Sequence, residues 1–141
     1  MKTKYDSVVK FKKQQVDNIE KNLQKINASI NDLQSKIDEL NKTLLSFNLP
    51  NKGSFSLLNQ IKHQQSIIRD EIANLKNQIV ILQNRKNELL NELKNAKLEY
   101  EKMKYLQAEE IKKILKEKKL KEMRDMDEIA ILLKNNKNST H

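Results

Sequence analysis

Apolar residues recur along the first third of the chain in steps that alternate three and four. From Val16 they run through Ile19, Leu23, Ile26, Ile30, Leu33, Ile37, Leu40 and Leu44 to Phe47. This is a heptad seam, with Val16, Leu23, Ile30, Ile37 and Leu44 at a and Ile19, Ile26, Leu33, Leu40 and Phe47 at d. The positions between hold mostly Asn, Gln, Lys, Asp, Glu and Ser. So narrow a stripe buries itself only against another of its kind. The spacing predicts a helix over about 4–47, capped by Asp6 or Ser7.

The break after it is readable. Residues 48–55 hold the only Pro, Pro50, and the only Gly, Gly53. Pro50 has no N–H and forces Leu49 out of the helical region. Gly53 takes a positive φ at little cost, and Ser54 or Ser56 caps the next helix. That helix is predicted over about 56–134, with a flexible polar tail at 135–141. Its seam is Leu58, Ile61, Gln65, Ile68, Ile72, Leu75, Ile79, Leu82, Lys86, Leu89, Leu93, Ala96, Tyr100 and Met103.

Two such seams joined by a tight loop predict an all-α fold of one domain, an antiparallel coiled-coil hairpin over 1–141. A parallel homodimer has no use for the Pro/Gly break. The register expected sets Phe47 against Leu58, Leu40 against Gln65, Ile30 against Leu75, Leu23 against Leu82, Val9 against Ala96 and Tyr5 against Tyr100. Lys12 and Lys86 fall in the seam and are expected to carry their ammonium groups out to water. In this register Met103 lies level with Lys2. The second helix, much longer, is expected to project about 45 Å beyond the first. The heptads stutter there, at Met103, Gln107, Ile111 and Ile114. A new apolar set then follows: Leu115, Leu120, Met123, Met126, Ile129, Ala130 and Leu133.

Composition agrees with a coiled coil: aromatics are 4% and charged residues 33% of 141 residues. There is no cysteine, which removes disulfides and thiolate chemistry. One glycine cannot build a phosphate loop. His63 faces outward and His141 ends the chain, so neither builds a metal site. Carboxylates such as Asp127 and Glu128 are solvated helix surface, and a two-helix hairpin offers no concave pocket. No catalytic residue, cofactor, metal or small-molecule substrate is expected. No apolar run spans a bilayer and no secretory signal is recognisable, so a cytoplasmic protein is expected.

Charge sharpens this picture. The net charge is +9. Lys2, Lys4, Lys10, Lys12 and Lys13 stand near the start. Lys112, Lys113, Lys116, Lys118, Lys119, Lys121 and Arg124 crowd 112–124 against Glu117 and Glu122. A partner should therefore bind at the end where the termini meet. Nucleic acid fits poorly, because few aromatics interleave with the cations. Ile67, Val80, Ile81 and Leu98 break the pattern on outward positions and form a candidate second docking strip.

The stretch Leu120-Lys121-Glu122-Met123-Arg124-Asp125-Met126-Asp127-Glu128-Ile129-Ala130, a basic helix closing on Met126-Asp127-Glu128-Ile129-Ala130, resembles the FliJ family of flagellar type III export proteins. The lead-in Val9-Lys10-Phe11-Lys12-Lys13, the length and the loop position agree. The resemblance implies a central-stalk-like coiled coil in the pore of a hexameric export ATPase. That places the protein peripherally on the cytoplasmic side of the inner membrane. It also implies contacts with the export gate membrane protein and with export chaperones. The terminal end would enter the ring, with Lys4, Tyr5, Val8, Phe11, Lys112, Lys116, Lys119, Met123, Arg124, Met126, Asp127 and Ile129 as contact residues. Of these, Met126, Asp127 and Ile129 rest on the motif and the others on charge and unpaired apolar surface. A stalk protein of a virulence type III system and a plain scaffolding or self-associating coiled coil remain alternative readings.

Overall fold

A computed structural model describes residues 2–47 and 54–139. They form two helices that pack against each other, α1 (Asp6–Ser46) and α2 (Phe55–Ser139). Among the described residues there is no strand. The loop expected around Pro50 and Gly53, and the last residues Thr140 and His141, lie outside the described residues. Helix α2 carries on to Ser139, past the boundary expected at 134, because nothing from Asn135 to Ser139 breaks a helix.

Each helix start has a specific cause. Ser54 caps α2: its Oγ accepts the N–H of Leu57 at 3.2 Å. At the start of α1 the expected roles are rearranged. Thr3 Oγ1 accepts the N–H of Tyr5 at 3.2 Å, while the Thr3 N–H and hydroxyl donate to the Asp6 carboxylate at 3.1 and 2.6 Å. Thr3 is thus the capping residue and Asp6 its reciprocal partner, a variant of the capping box.

The chain divides into two compact units, Gln15–Asn95 and Met1–Gln14 with Ala96–His141. In the first unit the buried residues are Val16, Leu23, Ile37, Ile72, Leu75, Ile79 and Leu89, all on the seams. Ile37, Ile72, Leu75 and Ile79 form one cluster, with Ile30, Leu33, Leu40, Leu44 and Ile68 packed against it. No polar or charged residue is buried among the described residues.

That cluster corrects the expected register. Opposite Ile61, Leu44 would lie about 16 Å along the axis from Ile72, beyond reach. Its packing against the cluster instead sets Leu44 opposite Ile68 and Ile37 opposite Leu75. The second unit tells the same story independently. Asp6 accepts a hydrogen bond from Gln107 Nε2 at 2.9 Å, and the Lys12 ammonium reaches Glu99 at 2.7 Å. These contacts put Tyr5 near Gln107, not Tyr100. In both units the pairing is one heptad away from that read off the seams.

Candidate partner-binding site

The candidate site lies in the unit formed by 1–14 and 96–141. At and just before the start of α1, Thr3, Tyr5, Asp6, Val9 and Lys12 are half-buried, and Lys4, Val8 and Phe11 are exposed. The facing part of α2 contributes half-buried Tyr100, Met103, Leu106, Gln107, Glu110, Ile111 and Ile114. The expected seam lysine behaves as anticipated: the Lys12 stem stays half-buried while its ammonium pairs with Glu99. That hydrogen bond holds the Glu99 carboxyl below its usual value. Cations also sit over rings here, Lys4 over Tyr5 at 5.4 Å, and Lys13 and Lys104 over Tyr100 at 5.7 and 5.2 Å.

Asp6 is the most strongly held group. The Thr3 hydroxyl, then Gln107, then the Thr3 backbone N–H lower its carboxyl from 3.8 to about 2. A lowered native pKa means the contact adds stability above the unfolded value and loses it as pH falls through the native one. Amide hydrogen exchange at residues 5–9 should therefore quicken as pH drops from about 3.8 to about 2, beyond its intrinsic trend. Asp6→Asn should remove the step. An unchanged step in Asp6→Asn would assign it to another group.

Every residue from 115 to 137 is exposed. The apolar ones include Leu115, Leu120, Met123, Met126 and Ile129, with Met126 at 70% exposure. Lys112 pairs with Glu109 at 3.5 Å. Lys113, Lys116, Lys118, Lys119, Lys121 and Arg124 form no ion pair among the described residues. Lys116, Lys119, Met123, Arg124, Met126, Asp127 and Ile129 thus lie along one uncovered helix, and Lys112 stands just before it. Lys4, Tyr5, Val8 and Phe11 belong to the same unit.

Two features escaped the sequence reading. Ile131 and Leu132 are as exposed as Met123; with Leu133 they make a run pointing around the helix, which no heptad template collects. Gln107 was read as a stutter, although a polar residue on a seam is a signal for a polar partner on the facing helix. The outward residues Ile67, Val80 and Ile81 are exposed in the unit 15–95, and Leu98 is exposed in the other unit.

Two helices joined by an aliphatic seam define an all-helical, coiled-coil-like protein. No helix among the described residues is long and apolar enough to cross a membrane. The sequence matches the family model described as flagellar FliJ protein over residues 1–139, and the chain belongs to the FliJ family. The family is a non-catalytic component of the flagellar type III export apparatus and acts with other parts of it. No curated protein and no solved structure matches the chain.

Proposed function

We propose that this chain is the central-stalk-like coiled coil of a flagellar type III export apparatus, and that its terminal unit seats in the hexameric export ATPase. The observation that carries this reading is the exposed helix 115–133, where cations that form no ion pair among the described residues and large apolar side chains share one surface. Exposed apolar surface of that extent marks an interaction site, and the cations select an acidic partner. In this reading α2 extends past α1 and offers its last turns to the ring. Contacts with the export gate and with export chaperones are further parts of the proposal, as is a cytoplasmic position at the inner membrane. The exposed Ile67, Val80 and Ile81 supply a separate surface for one of them.

Truncation tests the site. A chain stopped after Ile114 keeps every residue of α2 that is more than marginally covered in the terminal unit. It should stay helical, fail to co-sediment with the ATPase and fail to raise its hydrolysis rate. Full binding and stimulation by the truncated chain would place the contact elsewhere.

A further inference from the structure

We infer that α1 and α2 pair in two registers one heptad apart, the one seen here and one in which Ile37 faces Ile68, and that slipping into the second uncovers Leu106 and Ile111. The seam permits both. Along the regular seam of α2, up to Met103, a step of seven residues moves each a or d position onto another a or d position, so the seam of α1 meets a seam in each register. The polar seam residues do not discriminate. With Ile37 opposite Leu75, Gln65 faces Phe47 and Lys86 faces Ile26; after the slip they face Leu40 and Ile19. A coiled coil fixes its register best with a buried polar residue that finds its partner in one alignment alone. No such residue is buried among the described ones.

What separates the registers is small and lies at the two ends of the pairing. In the terminal unit the observed register makes the Asp6–Gln107 hydrogen bond, which the slip removes, and the Lys12–Glu99 ion pair, which the slip exchanges for Lys12 facing Glu92. Both involve solvent-accessible groups, and such contacts contribute little. In the other unit Leu58 and Ile61 are half-buried in the observed register, and the slipped one sets them opposite Phe47 and Leu44. The slip displaces the facing part of α1 by about 10 Å. In the terminal unit Tyr5 then returns to the level of Tyr100, and α2 loses cover from Leu106 onward. Apolar surface continuous with the exposed stretch beyond Ile114 grows as a result. The inference stands whether or not that surface meets an ATPase.

The chain has no native cysteine, so paired cysteines report the register directly. Leu75→Cys is combined with Ile37→Cys for the observed register, with Ile30→Cys for the slipped one, and with Leu23→Cys as a control fitting neither. Each variant is equilibrated in a glutathione buffer, and the intramolecular disulfide is quantified in material whose helix content is unchanged. Ile30/Leu75 should link well above the control, alongside Ile37/Leu75. A second set avoids the core: Asp6→Cys with Gln107→Cys against Asp6→Cys with Tyr100→Cys, joined by a short bismaleimide. Adding Gln107→Ala to the Ile30/Leu75 and Ile37/Leu75 variants should raise the slipped-to-observed ratio by about two- to fivefold. Cross-linking of the slipped pairs at no more than the control level, in both sets, overturns the inference. So does a slipped-to-observed ratio that Gln107→Ala leaves unmoved.

Discussion

Replacing Ile37 with alanine is expected to destabilise the fold by about 2–5 kcal/mol, the largest single-site loss in the chain. Ile37 is 2% exposed and touches a cluster whose other members come from the facing helix. Truncation removes buried methyl groups and leaves a gap that two straight helices close poorly. A helix pair has no second layer to collapse inward. Leu45→Ala is the matched control. Leu45 sits in the same helix at 84% exposure, so its loss should change stability by no more than about 0.5 kcal/mol. Urea titrations followed by ellipticity measure both. Equal shifts for the two variants would mean that the heptad seam is not the core.

The second large effect is on binding. Reversing Lys116, Lys118 and Lys119 to glutamate should weaken association with the export ATPase by about 10- to 100-fold at low salt. The gap should narrow as salt rises, because exposed charges are screened within about 10 Å at 0.1 M. The three lysines are exposed and form no ion pair among the described residues. Reversal therefore leaves the packing of the terminal unit intact. Reversing Lys36, Lys42 and Lys62, all exposed in the unit 15–95, changes net charge equally and should cost far less. Equal losses in the two triple variants would assign the effect to net charge and remove the terminal helix as the site.

The seams themselves could be read from the sequence because burial follows periodicity. Every buried residue lies at a position that three-four spacing selects. The sequence narrows the cap of α2 to Ser54 or Ser56, and the hydrogen bond from the Leu57 N–H selects Ser54. Register was not readable, for a physical reason: a seven-residue shift preserves the apolar match. The contacts that decide it, Asp6 to Gln107 and Lys12 to Glu99, join residues far apart in sequence, and no local rule connects them. Thr3 was missed as a cap because Asp6 is an equally good capping residue, and only the reciprocal geometry assigns the roles. At the site, the basic and apolar composition of 112–133 announced a surface. Its inner edge depended on the register: the pairing read off the seams ends at Met103, whereas half-buried residues continue to Ile114.

The bare stretch from 115 to 137 also bears on the survival of the free chain. A helix with no neighbour is held by its own backbone bonds, and it unwinds a turn at a time without waiting for the rest of the protein. Cleavage by a general protease should start there, many residues from the buried cluster around Ile37. Whatever seats that stretch also shields it, so copies without an occupant would be trimmed first.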